Sequence, residues 1–305
     1  MDREHFIITV YCVVCEHYQA ILKTTPLRQA GFTPALTDEE VITIEICGEY
    51  FKCTTDKDIF DYFQANYPAW FPHLNDRTIF VRQAANLWWI KAAIQRRLTQ
   101  ISGQVDDPVQ TIDTVPLPVC TYTRSRRDRC FKGEADYGYC AAKKLRYYGF
   151  KLGLRVARSG MIIAYPLFPA RPHDTLREFV EDLTAEFVGY VPADKGFIDA
   201  WRQAVLEELR NVVIVTPRRK GMKKLLRPKD LVKACMRLRK CVETVGSHLT
   251  ERFAIARTRA HDLWHYQHRV IRKILAHTIG VFLNLKLNRT PLDLDGLLSI
   301  NEVAH

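Results

Sequence analysis

The hydrophobic pattern of this chain changes near residue 109, and this change constrains the fold more than any other feature. Residues 1–100 carry helical periodicity and helix start signals, including the capping box Thr37-Asp-Glu-Glu40. Residues 101–108, ISGQVDDP, have the composition of a linker. From residue 109 onward, short apolar runs of strand type alternate with amphipathic helices. The pattern predicts a helical N-terminal region followed by a domain built on a sheet.

The helical region has a second start signal at Asn75, which predicts one long amphipathic helix reaching Leu98. The side chains expected on its buried face are Trp88, Trp89, Ile90 and Ile94. Those expected on or near its polar face are Arg82, Lys91, Arg96 and Arg97. Two capped helices with a basic surface fit a helix-turn-helix-like DNA reader. A plain helical bundle explains them nearly as well.

The second region follows a recognisable order of elements. Strands are predicted at 109–115, 150–156, 161–168, 187–191 and 211–216, and helices at 174–186, 197–210, 230–256 and 268–287. The segment 120–147 is predicted to be a basic, aromatic loop. An antiparallel hairpin followed by alternating helices and strands is the order of the ribonuclease H-like fold, a mixed α/β sheet flanked by helices. The expected division is therefore a helical region 1–100, a linker 101–108, a ribonuclease H-like domain 109–290 and a tail 291–305.

One carboxylate stands inside the first predicted strand. Asp113 lies among apolar and β-branched neighbours, although Asp is depleted in strands. An unpaired buried carboxylate is costly, so this residue should have a partner, a proton or a cation. Asp194 lies in a turn just beyond the strand that ends at Val191, where sites in open α/β sheets are common. The alternative for Asp194 is an ordinary turn or N-cap residue.

A third acid would come from the long helix after residue 230. Helical periodicity places Glu251 almost opposite the apolar stripe of this helix, facing solvent. It places Glu243 at the border of the stripe, from which a side chain can face the edge of the sheet. The stripe consists of Leu231, Cys235, Leu238, Val242, Val245, Leu249 and Phe253. The alternative for Glu243 is a surface salt bridge with Arg239 at i,i+4, worth ~0.2–0.5 kcal/mol. Periodicity leaves both roles of Glu243 open.

The chain is basic, with 45 Lys and Arg against 34 Asp and Glu and a formal net charge of +11. This surplus favours an anionic partner, of which nucleic acid is the commonest. The alternative is a merely basic soluble protein.

The nine cysteines lack the spacing of a four-ligand zinc site, since Cys12 and Cys15 have no second pair. We expect reduced core cysteines. Their odd number and an N-terminus unlike a signal peptide favour the cytoplasm. No stretch is expected to approach the ~20 apolar residues of a membrane span.

Several motifs, taken in order, resemble the DDE transposases of bacterial insertion sequences, most closely the insertion sequence nine-eighty-two family. They are TIDTVP (111–116), FKGEADYGYCAAKK (131–144), YGFKLGL (148–154), HD (173–174), ADKGFI (193–198) and RKCVET (239–244). The resemblance covers most of the chain, with the motifs between about 109 and 280. Each motif alone is weak, whereas their order is specific.

The resemblance implies that Asp113, Asp194 and Glu243 are catalytic acids that hold Mg²⁺ or Mn²⁺, as two ions. Water would attack the phosphorus during nicking at the transposon end, and the freed 3′-hydroxyl would attack during joining to target DNA. A related group carries a Tyr, an Arg, the Glu and a Lys on this helix. Here Arg239 and Glu243 match, but Met236 and Thr250 stand at the Tyr and Lys positions. The implied partners are terminal inverted repeats, target DNA and a second copy of the chain, in a homodimer or higher assembly on DNA.

The basic segments then supply candidate phosphate contacts. These are Arg126, Arg127, Lys143, Lys144, Lys195, Arg218, Arg219, Lys220, Lys223, Lys224, Arg237, Arg239 and Lys240. Rival functions are a metal-dependent nuclease of the same fold that never joins strands, and a non-catalytic DNA-binding protein derived from a transposase. A basic structural protein with coincidental acids is a third alternative.

Overall fold

The computed structural model describes residues 1–25, 27, 33–127, 129–140, 144–171, 177–222 and 226–298. The helices are α1 (Arg3–Leu22), α2 (Asp38–Tyr50), α3 (Asp56–Asn66), α4 (Arg77–Asn86), α5 (Trp88–Ile101), α6 (Arg177–Leu183), α7 (Ala200–Arg210), α8 (Lys229–Leu238), α9 (Lys240–Ser247) and α10 (Leu263–Lys286). The strands are β1 (Gln110–Thr121), β2 (Asp136–Cys140), β3 (Leu145–Ala157), β4 (Ile162–Ala164), β5 (Leu167–Pro169), β6 (Gly189–Pro192) and β7 (Val212–Val215).

The chain packs as two compact units, which differ from the expected division at 109 and 290. The sheet unit is Ser102–Ser247. The helical unit joins Met1–Ile101 to the described part of His248–His305, so α10 belongs with the N-terminal helices. The expected linker is also ordered within the sheet unit, because Gln104–Asp106 forms a 3-10 turn and the Gln110 side chain donates to Val105 O at 2.8 Å.

The sheet unit is built around β1. Strand β3 pairs with β1 antiparallel, with Asp113 opposite Leu154, and also pairs antiparallel with β2, β4 and β5. Strands β6 and β7 pair parallel. Val109 forms a parallel bridge to Tyr190, whose N–H donates to Pro108 O at 2.9 Å. This single bridge places the two-stranded β6–β7 sheet beside β1, in the spatial order β3, β1, β6, β7. The parallel pairing of β6 with β7 is the pairing that the alternation of helices and strands in the sequence predicts.

Successive side chains of β1 point to opposite faces. Ile112 is fully buried in a core that includes Phe179 and Leu183 of α6 and Val191 of β6. Helix α6 packs closely on β3 because position 153 is glycine. A Cβ there would lie 2.2 Å from Leu183 Cδ1. Asp113 therefore faces away from this core.

The helical unit is a bundle in which α10 is buried along most of its length, from Tyr266 to Asn284. Helices α2, α4 and α5 pack on α10, and α1 packs on α2 and α5. The capping box predicted at Thr37 forms, since the Thr37 side chain accepts from Glu40 N and the Glu40 side chain accepts from Thr37 N. The predicted burial of Ile90 and Ile94 is confirmed, whereas Trp88 and Trp89, also predicted to be buried, are only partly buried.

Two helices predicted as continuous are broken. The helix predicted from Asn75 to Leu98 is interrupted at Leu87, whose N–H is shared between Gln83 O and Ala84 O. The helix predicted at 230–256 is interrupted at Arg239, whose carbonyl accepts from Val242 N in a tight turn. The interruption turns Leu238 outward to 37% exposure, so the predicted apolar stripe is not continuous.

Other expectations also differ from the structure. The segment 120–147 is not only loop, because β1 extends to Thr121 and β2 and the start of β3 lie within it. Lys91, expected on a polar face, is fully buried, since it pairs with Glu45.

The nine cysteines, all within the described residues, form no disulfide, and only Cys47 and Cys235 are buried, which corrects the expectation of core cysteines.

Helix α1 is long and apolar enough to cross a membrane by length and composition alone, which the sequence analysis did not anticipate. It buries one face, including Phe6, Val10 and Val14, against α2 and α5. A core helix passes the same test of length and composition, so this is weak support for a membrane span.

Candidate active site

Asp113 is held in the middle of β1, on the face of the sheet where α9 packs. Helix α9 packs on β1 and β3, and the small residue Gly246 lies over Val115. The side chain of Asp113 is 27% exposed. Alternation along β1 thus turns this carboxylate toward the junction of α8 and α9.

The partner that Asp113 requires is Arg239, at that junction. Arg239 Nη2 donates to Asp113 Oδ2 at 3.2 Å, and Thr114 N donates to Asp113 Oδ1 at 2.8 Å. Burial raises the pKa of Asp113, and the negative charge of Asp194 adds to this. The hydrogen bond from Thr114 N and the charge of Arg239 oppose the rise without cancelling it. The site disfavours the ionised form of Asp113 and would gain from a further cation.

Asp194 follows β6 directly, in the turn before Lys195–Phe197. The backbone orders this turn, because Ala193 N donates to Val215 O at 2.9 Å and Phe197 N donates to Asp194 O at 3.0 Å. The Asp194 side chain is half-buried, caps no helix and has no hydrogen bond or ion pair with the described residues. The alternative role of Asp194 as a turn or N-cap residue therefore accounts for its backbone position. It does not account for a carboxylate that caps no helix.

Glu243 lies in the first turn of α9 and is paired with the same arginine. Arg239 Nη1 lies 2.9 Å from Glu243 Oε1, which is the i,i+4 pair anticipated as an alternative. Because Arg239 also holds Asp113, the pair is more than a surface bridge: one guanidinium links a strand carboxylate to a helix carboxylate. Arg239 is 19% exposed, and its buried Nε has no hydrogen-bond partner among the residues that the structure describes.

The donor set of this site suits a hard divalent ion, since carboxylate oxygens are the ligands that Mg²⁺ and Mn²⁺ prefer. Asp113 and Asp194 are close enough for the charge of one to raise the pKa of the other. In the part of the chain that the structure describes, however, no three His, Cys, Asp or Glu side chains are grouped closely enough to hold an ion. Arg239 stands between Asp113 and Glu243 as the cation of the site.

The candidate DNA contacts are exposed where they are described. Arg126, Arg127, Lys144, Lys195, Arg218, Arg219, Lys220, Arg237 and Lys240 are all exposed. Arg219 Nη2 donates to Lys195 O at 2.9 Å, which ties the basic loop after β7 to the turn that carries Asp194. Arg237 and Lys240 flank Arg239 in sequence. Lys143, Lys223 and Lys224 lie outside the described residues, as does the His173-Asp174 motif.

The two departures from the related motif fall in different units. Met236 is in α8, whereas Thr250 is in the π-helical segment His248–Arg252 of the helical unit. Arg252, two residues after Thr250, is engaged in an ion pair with Asp295.

Sequence analysis missed a second group of cations, in the helical unit. Arg77, Arg82, Arg257 and Arg259 line one cavity there. The closely spaced Arg257-Thr-Arg259 was the available signal, but arginines from α4 join it only through folding.

Comparison with known families matches residues 103–263 to the family model described as Transposase DDE domain. This match spans more than half of the chain and includes all three candidate acids. No curated protein and no solved structure matches the chain.

Proposed function

The chain belongs to the family of transposase DDE domains, and we propose that it binds the ends of an insertion sequence, of the nine-eighty-two family, and cleaves and joins DNA strands. The observation that carries this proposal is the convergence of Asp113, Glu243 and Arg239. Asp113 and Glu243 are 130 residues apart in sequence, as their numbers give, yet share one guanidinium. Asp194 adds a carboxylate without a partner among the described residues.

We further propose that the sheet unit has the ribonuclease H-like fold. The order β3, β1, β6, β7, with an antiparallel hairpin before parallel strands, supports this assignment. In such a sheet Asp113 lies within the central strand and Asp194 beyond the end of its parallel neighbour, where functional residues of open sheets gather.

Asp113, Asp194 and Glu243 would hold the divalent metal, proposed as two Mg²⁺ or Mn²⁺ ions. When bound, the ions would lower the cost of charge on the attacking and leaving oxygens of an in-line displacement at phosphorus. Arg239, whose buried Nε lacks an acceptor among the described residues, would hold the two carboxylates in place and would be the nearest cation of the site for a DNA phosphate.

Three further proposals concern DNA recognition, assembly and location in the cell. We propose that the helical unit contributes to recognition of the terminal repeats, that the active form is a homodimer or higher assembly on DNA, and that it works in the bacterial cytoplasm at the nucleoid. Deleting residues 1–100 would not test recognition cleanly, because α10 packs on α2, α4 and α5. Point substitutions on the surface of the helical unit are the better probe.

The proposal is tested with labelled DNA carrying the element's terminal repeat, in Mg²⁺ or Mn²⁺. Wild type is expected to nick at the repeat end and to join it to target DNA, whereas Asp113→Asn, Asp194→Asn and Glu243→Gln bind the DNA but leave it uncut. Glu251→Gln, an exposed carboxylate of the helical unit, is the matched control and should cut normally.

Each rival predicts a different outcome. Nicks without joined product would favour a nuclease of the same fold. Binding by wild type without turnover in either metal would favour a non-catalytic DNA-binding protein. Equal cutting by wild type and Asp113→Asn would exclude this carboxylate from the active site.

A further inference from the structure

The helical unit contains a basic cavity of about 530 Å³. Its lining comes from the starts of α3 and α4, from the segment before α10 and from α10 itself. Among the described residues, eight of the lining side chains are Lys or Arg and one, Asp56, is acidic. None of the three candidate catalytic acids lines it.

Half of these cations already have acidic partners. Asp56 accepts from Arg269 and Arg272, Lys273 pairs with Glu49, and Lys57 pairs with Asp61. The cations that remain have exposed side chains without an ion pair or side-chain hydrogen bond to the described residues: Arg77, Arg82, Arg257 and Arg259. The charges of four lining cations are therefore neutralised by acidic side chains of the helical unit. The charges of the four exposed arginines are not.

The arginine-bearing segment before α10 is tied to the floor. Arg269 Nε donates to Asp56 Oδ2 at 3.0 Å, and Arg269 Nη1 donates to Thr258 O at 2.8 Å. Thr258 lies between Arg257 and Arg259, and Arg259 has a left-handed backbone with φ of 50°. This conformation costs roughly 1–2 kcal/mol for a residue with a side chain, so the packing around it must hold the segment in place.

Asp56 does not oppose an anion in the cavity. Burial raises its pKa, but Arg272 and Arg269 more than offset this effect, so the pKa lies below its ordinary value. Its carboxylate is ionised and fully used by these two guanidiniums. An incoming anion would meet the unpaired arginines and not a free carboxylate.

We propose that this cavity binds phosphates of the DNA backbone, as a second DNA contact beyond the proposed active site. Guanidinium forks suit phosphate oxygens, and the hydroxyls of Thr78 and Thr258 are further donors on the lining. Val81 is the one apolar residue among the described lining side chains, and no Phe, Tyr or Trp is present to stack on a base. This chemistry fits a phosphodiester chain better than a free nucleotide. The inference rests on the proposed function, since it names where the helical unit would hold DNA.

The test uses the full chain without divalent metal and follows fluorescence anisotropy of two labelled duplexes, the terminal repeat and an unrelated sequence, over a series of salt concentrations. The variant is Arg257→Gln with Arg259→Gln. The matched control is Lys23→Gln with Lys52→Gln, which removes the same charge from exposed positions of the helical unit outside the cavity. A second pair, Arg77→Gln with Arg82→Gln, guards against misfolding of one variant, and thermal unfolding checks each fold.

The expected result is weaker binding of both duplexes by each arginine pair. The slope of log K against log salt should fall by about 2, roughly one for each lost phosphate contact, while the control pair leaves it unchanged. Wild type that fails to bind either duplex would overturn the proposed function itself. Wild type that binds and cuts, with arginine variants equal to the control pair, would overturn this inference alone.

A parallel titration with inorganic phosphate and with ATP, followed by calorimetry, separates DNA from a free anion. If the arginine pairs lose tight binding of either small anion but keep full DNA affinity, the cavity is a small-anion site and the DNA assignment is wrong.

Discussion

The two units handle buried carboxylates in opposite ways. In the helical unit, three buried acids, Glu45, Glu49 and Asp56, each have at least two cations. Glu49 accepts from Arg272 at 2.6 Å and from Lys273 at 2.7 Å, and Asp56 accepts from Arg272 at 2.6 Å and from Arg269. In the candidate active site of the sheet unit, Asp113 and Glu243 share one cation, Arg239, and Asp194 has no ion pair with the described residues.

The difference follows from burial. Arg272 and Glu49 are each 2% exposed, so an unpaired charge there would cost several kcal/mol. Burial lowers the pKa of Arg272. The negative charges of Glu49, Asp56 and Glu45 outweigh this effect, so the pKa lies above its ordinary value. Asp113 and Glu243 are 27% and 53% exposed, so water tolerates their incomplete pairing. The comparison indicates that fully paired carboxylates stabilise the helical unit. The incompletely paired carboxylates of the sheet unit leave room for a further cation.

The largest effect on stability should come from Arg272, at the centre of the buried ion pairs of the helical unit. Arg272→Met removes the partner shared by Glu45, Glu49 and Asp56, so the free energy of unfolding should fall by about 3–5 kcal/mol. Arg289→Met breaks an exposed i,i+4 pair with Asp293 and should change stability by less than about 0.5 kcal/mol. Urea unfolding of both variants measures the difference, and equal losses would contradict the comparison.

Lowering the pH should weaken the same group of ion pairs by protonating Asp56. Because its folded pKa is depressed, its stabilising contribution is present above its unfolded pKa of about 3.9 and is lost as pH falls toward the folded pKa. Asp56→Asn should therefore be less stable than wild type at neutral pH and should lose less stability below about pH 4. Asp61→Asn, on the exposed side of the same helix, is the control. Parallel pH–stability curves for Asp56→Asn and wild type would refute this role.

For Asp113 the opposite dependence of stability on pH is expected. Its folded pKa is raised, so its ionised form lowers stability at neutral pH, and this penalty disappears as pH falls through the folded pKa. Asp113→Asn should leave thermal stability unchanged or increase it by up to about 1 kcal/mol. Asp107→Asn, which weakens the contacts with Arg158 N and its guanidinium, should destabilise instead. A marked loss of stability in Asp113→Asn would mean that this carboxylate is structural.

The smallest effect on stability is expected at Glu243, together with loss of function. Glu243→Gln weakens an i,i+4 pair worth ~0.2–0.5 kcal/mol, so unfolding should barely change while metal-dependent cleavage is lost. Chemical denaturation and the cleavage assay on one preparation separate the two readouts. Normal cleavage would reduce Glu243 to a helix-stabilising residue.

Local patterns predicted much of the fold. Alternation identified β1 and the hairpin of β3, and capping chemistry identified the start of α2, because these signals depend on neighbours in sequence. The interruptions at Leu87 and Arg239 were missed, since no Pro or Gly marks them and only packing selects the tight turn. Strand β2 was missed because its five residues, DYGYC, lie in a basic, aromatic segment that was predicted to be a loop, and they become a strand by pairing with β3.

The sequence by itself determined which side chains could do chemistry: a carboxylate in a strand, another in a turn after a strand, and a glutamate four residues after an arginine. It also determined the basic surplus that favours an anionic partner. Only the tertiary structure decided that Arg239 joins Asp113 to Glu243, that Lys91 is buried on Glu45, and that α10 completes the N-terminal bundle. The physical reason is that charge compensation and burial are set by neighbours in space, and pairs such as Asp113 and Arg239 are 126 residues apart in the chain.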